Sequence, residues 1–188
     1  MTRPAVFLDR DGTLIEEAGY LDRIERLVFY PYSVDAVRVL NRAGLQVVIV
    51  TNQAGVARGI FHEDFVAEAH RHVKGRLEAG GARVDGFYYC PHHPDASVAR
   101  YKLACDCRKP QPGMLRQAAA DLNLDLTRSF VVGDRWHDIE AGNTVGARGL
   151  LVRTGYGRTE EASPKQGVTP AVIVDDLIAA ASWILRAS

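Results

Sequence analysis

The chain of 188 residues is predicted to be an α/β protein, a parallel sheet doubly wound by helices on its two faces. Three observations predict this. Apolar runs of strand length recur along the chain, stretches with helical spacing separate them, and several runs stop abruptly on polar or charged residues. A run that stays apolar without alternating fits a strand covered on both sides. In sheets of this kind ligands bind beyond the carboxyl ends of the strands.

Taken in order, AVFL (5–8) is the first strand and Asp9 ends it. SVDAVRVLNRAG (33–44) has apolar residues on one helical face and Gly44 as its stop. QVVIVTN (46–52) is the second strand, and EDFVAEAHRHVKGRLEAGG (63–81) is a helix closed by Gly80 and Gly81. VDGFYYC (84–90) is the third strand, with Phe87, Tyr88 and Tyr89 read as strand core. GMLRQAAADLNL (113–124) is rich in strong helix formers. SFVVGD (129–134), GLLVRT (149–154) and AVIV (171–174) complete the strands. GRTEEASPKQGVTP (157–170) reads as a polar surface loop, and DDLIAAASWILRAS (175–188) as a closing helix packed on the sheet. With no repeat or linker, residues 1–188 are expected to form a single domain, including a loop at 90–107 discussed below.

Composition narrows the function classes. The 23 basic and 23 acidic residues cancel, so no global field favours nucleic acid or an anionic membrane. The apolar stretch near the N-terminus is too short for a signal-peptide core, and no run reaches the about 18 apolar residues of a membrane span. The expectation is a cytoplasmic monomer acting on a small molecule.

The stretch FLDRDGTLIEE ends its strand on Asp9, with Asp11 two positions later. Equal parity would point both carboxylates the same way if the strand continued. Three further strand or loop ends carry matching groups: Thr51 and Asn52 after VVIV, Lys109 in CRKPQPG ahead of a helix, and Asp134 after SFVVG, with Asp138 a turn later. These are the groups that phosphoryl transfer needs. A carboxylate can attack phosphorus and form an aspartyl phosphate, and Asp9 is the natural nucleophile. Its target is anionic, and two unit charges about 4 Å apart repel by about 4 kcal/mol at an effective dielectric near 20. A cation must offset that repulsion. Mg²⁺ suits the hard oxygens of Asp9 and Asp134. Lys109 and the Thr51 hydroxyl would hold phosphoryl oxygens, and Asp11 would protonate the leaving alkoxide and then activate water.

Three cysteines, an odd number, form no disulfide framework. Cys90-x-His92 and Cys105-x-Cys107 instead supply three thiolates and one imidazole, a closed four-ligand Zn²⁺ set of structural type. Parity with Cys90 selects His92 over His93. Zinc would pin the loop that leads into Arg108 and Lys109.

On these residues the chain resembles the haloacid dehalogenase superfamily of phosphohydrolases. Its four motifs, Asp-x-Asp-Gly-Thr, a strand-ending Thr or Ser, a Lys, and Gly-Asp followed by another acidic residue, occur here in order. The resemblance implies a Rossmann-like fold, places the backbone carbonyl of Asp11 among the Mg²⁺ ligands, and puts Asp138 behind the metal site. The segment from Ile15 to Pro31 is too short for the large cap domain of many relatives. CPHHP, CDCRKPQPGML, TNQAGVARG and EEAGYL are similar to the zinc-containing group of heptose bisphosphate and histidinol-phosphate phosphatases. The histidinol enzymes have a shorter insert between the His and the second Cys pair, so the first expectation is removal of the 7-phosphate of D-glycero-D-manno-heptose 1,7-bisphosphate, with histidinol phosphate second. The same resemblance implies substrate contacts from Glu17, Ala18, Gly19, Tyr20, Asn52, Gln53, Ala54, Arg108 and Arg135. Relatives often carry Lys where Arg135 stands. A third reading, a phospholigand-binding module without turnover, would be expected to lack Asp9 or Asp11.

Overall fold

The apolar runs lie side by side as six parallel strands: β1 Ala5–Leu8, β2 Gln46–Asn52, β3 Gly86–Cys90, β4 Phe130–Gly133, β5 Arg148–Val152 and β6 Val172–Val174. The structure, a computed structural model, describes residues 2–187. The strand order is β3-β2-β1-β4-β5-β6. The chain builds outward from β1 to β3, then returns to lay β4 on the other side of β1. The carboxyl ends of β1 and β4 therefore flank the topological switch point, where this architecture opens a crevice.

Among the described residues seven α-helices pack around the sheet: α1 Ser33–Arg42, α2 Ala54–Ala57, α3 Glu63–Ala79, α4 Gly113–Leu122, α5 Trp136–Thr144, α6 Gly157–Ala162 and α7 Leu177–Ala187. Successive strand residues point to opposite faces. On one face Val6, Leu8, Val47, Ile49, Phe130 and Val132 pack with Val37 and Leu40 of α1, Val73 and Leu77 of α3, and Ile184 of α7. On the other, Ala5, Phe7, Val48, Val50 and Val131 pack with Met114 and Leu115 of α4 and Ala141 of α5. Both faces of β1 are fully buried, which is why AVFL has no polar alternation.

The structure departs from the sequence reading at several points. β3 is an edge strand, so Phe87, Tyr88 and Tyr89 are only half-buried, and the Tyr88 hydroxyl reaches out to Asp121 Oδ2 at 3.0 Å. The segment 157–170 is not loop throughout, because α6 occupies its first six residues. Helix α6 is held by its neighbours: Glu160 accepts from the Trp136 amide at 2.8 Å, and Arg153 pairs with Glu161 at 2.7 Å. Helix α2 also forms where the sequence gives no helical signal, and the turn that carries Asp138 extends into the nine residues of α5. Ser188, in the expected closing helix, lies outside the described residues. Between Ile15 and Pro31 the chain folds back on itself, Ile15 bridging to Phe29 and the Glu16 amide donating to Val28 at 2.8 Å. This short flap replaces a cap.

Phe7 is fully buried at the centre of the second core layer. Phe7→Ala should cost about 3–5 kcal/mol in urea unfolding, and a loss below about 1 kcal/mol would show that this layer repacks freely.

Candidate active site

Four strand ends, the flap and the loop ahead of α4 converge on a cleft of about 360 Å³, lined by Asp9, Asp11, Thr51, Asn52, Gln53, Ala54, Arg108, Lys109 and Arg135 among others. Asp9 extends β1, its amide donating to the Val132 carbonyl of β4 at 2.9 Å. Asp134 follows β4, and Asp138 projects back from the first turn of α5. Oxygens of Asp9, Asp134 and Asp138 lie within 4.8 Å of one another, and all three residues are buried. Lys109 enters from the loop ahead of α4. Its Nζ is 2.8 Å from Asp9 Oδ1, 2.6 Å from Asp138 Oδ1 and 2.8 Å from the Val50 carbonyl.

Three buried carboxylates facing one ammonium leave an excess of negative charge. Burial pushes Asp9 up to about 6, against the pull of Lys109 and with the help of Asp138 and Asp11. Burial likewise raises Asp134 to about 9, reinforced by Asp9 and Asp138. Lys109 is held above the ordinary lysine value because Asp138 and Asp9 outweigh its own burial. Asp134 Oδ2 accepts from the Tyr156 amide at 2.8 Å, while Oδ1 is buried with no hydrogen-bond partner. An orphaned buried carboxylate oxygen beside two more carboxylates fits a hard divalent cation. The Asp134 carboxylate also runs between two glycines. A Cβ on Gly12 or on Gly155, each with positive φ, would collide with it.

Asp9 and Asp11 both line the cleft, but their carboxylates take different partners. The Asp11 side chain bonds Gln53 Nε2 at 2.9 Å and Arg10 Nη2 at 3.1 Å. An extended continuation pointing both the same way is therefore not what forms: Gly12 turns the chain, and Leu14 and Ile15 amides fold back onto the Arg10 carbonyl. The Thr51 hydroxyl also faces Asp11, at 3.4 Å. Asn52 clamps the backbone of Lys109, donating to its carbonyl at 3.0 Å and accepting from its amide at 3.1 Å. Glu17, Gly19 and Tyr20 line the cleft from the flap; Ala18 is not among the lining residues, and its carbonyl accepts from Arg26. Phe61, His137 and Tyr156 also line it and were not singled out in the sequence. The Arg135 guanidinium stacks on the Tyr156 ring at 3.6 Å. Tyr156 follows β5 as Asp134 follows β4, so strand-end position was the signal available for it.

Cys90, His92, Cys105 and Cys107 gather beside the cleft. Their sulfur–sulfur separations are 3.2–3.4 Å, and His92 Nδ1 is 3.4 Å from Cys107 and 3.8 Å from Cys90. Zinc–sulfur bonds of about 2.3 Å give a tetrahedron with edges of about 3.8 Å. Burial pushes the Cys90 thiol up and carries Cys107 to about 11, while at Cys105 burial is outweighed by hydrogen bonds from Cys107 and Cys90 that lower the thiol, so Cys90 and Cys107 are the two thiols whose ionisation calls for a cation. His93 is turned aside, accepting the Asp95 amide at 3.0 Å. The loop's midpoint is fastened separately: Tyr101 of the loop and Tyr89 of β3 both donate to the Glu63 carboxylate at the start of α3.

Residues 106–180 match a HAD-hydrolase-like family model. A curated D-glycero-β-D-manno-heptose-1,7-bisphosphate 7-phosphatase of Photorhabdus laumondii is 46% identical over 154 residues, 81% of each chain. The enzyme of that name from Yersinia pestis is 41% identical over 185 residues, 97% of this chain and 90% of its own. The chain belongs to this heptose bisphosphate phosphatase family. A solved family structure, D,D-heptose 1,7-bisphosphate phosphatase from B. bronchiseptica complexed with magnesium and phosphate, superposes with a TM-score of 0.87 at 33% identity, covering 98% of this chain and 99% of that one.

The charge balance has a measurable consequence in this family member. A carboxyl whose pKa is raised on folding binds protons that the unfolded chain releases near 3.8, so it destabilises the fold as pH rises towards its folded value. His70 and His137, lowered to about 3 chiefly by burial, give the opposite slope below about 6.5. Above that the Asp134 effect stands clear of theirs. In Mg²⁺-free buffer the Tm should therefore fall from about pH 7 to about pH 9, Mg²⁺ should suppress the fall, and Asp134→Asn should remove it. A flat Tm in the metal-free native protein would contradict this account.

Proposed function

We propose that the chain is a Mg²⁺-dependent phosphatase that removes the 7-phosphate of D-glycero-D-manno-heptose 1,7-bisphosphate through an aspartyl phosphate on Asp9. The observation that carries this reading is the placement of Asp9, at the floor of one cleft, against Lys109 at 2.8 Å and beside two more buried carboxylates. Membership of the heptose bisphosphate phosphatase family supports the substrate.

In this reading Asp9 attacks phosphorus, the new O–P bond forms, and the bond from phosphorus to the sugar oxygen breaks. Asp11 gives that oxygen its proton. Water then attacks the aspartyl phosphate, losing a proton to Asp11 and restoring both residues. Lys109 offsets charge on the transferred group and, held by Asp138, stays ionised. Thr51 donates to a phosphoryl oxygen. Mg²⁺, held by Asp9, Asp134 and the Asp11 backbone carbonyl, would neutralise the charge that otherwise opposes attack. Arg108 and Arg135 supply guanidinium forks for the phosphate that stays on the sugar, and Glu17 to Tyr20 would contact its hydroxyls. The reacting phosphate is on the primary carbon, whose flexible arm reaches the recessed carboxylate while the ring stays at the mouth. Zn²⁺ in the cluster of Cys90, His92, Cys105 and Cys107 would fix the loop that delivers Arg108 and Lys109, a structural role.

Asp9→Asn should lower kcat by more than about 10⁴-fold with the fold retained, and beryllium fluoride should bind at Asp9 in crystals of the native protein; density on another residue would refute the nucleophile. Cys107→Ser should lower zinc content by elemental analysis and depress the Tm by about 2–4 °C for each kcal/mol of stability lost at this chain length, whereas native protein without about one zinc per chain would end the zinc reading. In steady-state assays kcat/KM for the β-heptose bisphosphate should exceed that for histidinol phosphate by at least about tenfold. The reverse preference would transfer the assignment to histidinol phosphate.

A further inference from the structure

Gln53 follows β2 directly and is only 5% exposed. Its Nε2 donates to Asp11 Oδ2 at 2.9 Å and to Thr51 Oγ1 at 2.8 Å. A carboxamide nitrogen carries two protons, so both are committed within the protein. The Gln53 backbone amide is committed too, to the Cys90 carbonyl at 2.8 Å. Asp11 is also gripped by Arg10, 1% exposed, through Nη2 to Oδ1 at 3.1 Å and Nε to Oδ2 at 3.2 Å. Gln53 lines the cleft, yet its donors are spent on the two residues beside it.

We propose that Gln53 is a positioning residue that acts on the reaction through Asp11, with Arg10 as the buried counter-charge, and that it contributes little to substrate affinity. The inference rests on the reading of Asp11 as the general acid and base. A carboxylic acid at the end of a two-bond side chain can protonate the leaving oxygen only from a narrow range of orientations. Gln53 and Arg10 meet on Oδ2 of that carboxylate, and Arg10 also holds Oδ1. When the P–O bond breaks, the electron pair stays on the leaving oxygen: an alkoxide must take the Asp11 proton, whereas an aryl oxide such as p-nitrophenolate departs without one. Loss of orientation should therefore be visible in leaving-group dependence, which a general loss of folding would not change.

The test compares native protein with Gln53→Ala and with Gln53→Met, which keeps length and approximate volume should the shorter side chain fail to fold. For alkyl phosphates, including the heptose bisphosphate, kcat should fall by about 10- to 100-fold, with KM within about twofold. The pre-steady-state burst of p-nitrophenol from p-nitrophenyl phosphate should slow by less than about threefold, although turnover after the burst should drop because Asp11 must also deprotonate water. A raised KM at unchanged kcat would make Gln53 a substrate contact and overturn the proposal, as would equal losses for the alkyl reaction and the aryl burst. Native protein inert towards every phosphate ester would instead refute the functional reading of Asp11, and this inference with it.

Discussion

The buried ammonium of Lys109 is the point on which the rest of the site depends. It touches Asp9 of the first strand end, Asp138 of helix α5 and the Val50 carbonyl of β2, so one charge joins three separate elements. Leaving a buried partner unpaired costs about 3–5 kcal/mol, which makes the arrangement intolerant of small displacements. The backbone of Lys109 is fixed independently by the two-way clamp of Asn52. A flexible side chain is thus held at its root and at its tip, and the cleft floor is assembled before any ligand arrives.

The sheet order explains why these groups can meet. Placing β4 next to β1 brings Asp9 and Asp134 together from sequence positions far apart, while β2 on the other side of β1 contributes Thr51. The apolar residues of each strand alternate between two core layers, which fixes the strand register and with it the depth of each terminal polar residue. Gly133 shows how closely the parts fit, since a Cβ there would run into the Asp138 side chain.

Much of this was legible in the sequence where the signal is local. An apolar run followed at once by Asp9, Thr51 or Asp134 encodes both the strand and its functional end, and the Cys-x-His and Cys-x-Cys pairs encode their cluster. Helix α5 was legible only as the turn that brings Asp138 back after Asp134: WHDIEAGNT carries Asp, Gly, Asn and Thr, poor helix formers, and it is held by packing of Ile139 and Ala141 against the sheet. Helix α6 is short and depends on Glu160 and Glu161 meeting Trp136 and Arg153. The wiring of Asn52 and Gln53 was hidden for a different reason. Residue type and position at a strand end show that an amide lies in the cleft, but whether it faces a ligand or a neighbouring side chain is decided by partners remote in sequence, Lys109 and Asp11.

Glu63 gives the cysteine loop a second anchorage that owes nothing to its thiols. The segment between Cys90 and Cys107 is gathered at its two ends by the Cys/His cluster and tethered near its middle, through Tyr101, to the first turn of α3. Opening the cluster would therefore divide the loop into two shorter spans, each still moored to the helix, in place of one long free excursion. Shorter spans sample less space and close again at lower entropic cost. Damage at the sulfurs would be felt in Arg108 and Lys109, which follow Cys107 directly, and in the core layer that Cys90 enters as the last residue of β3.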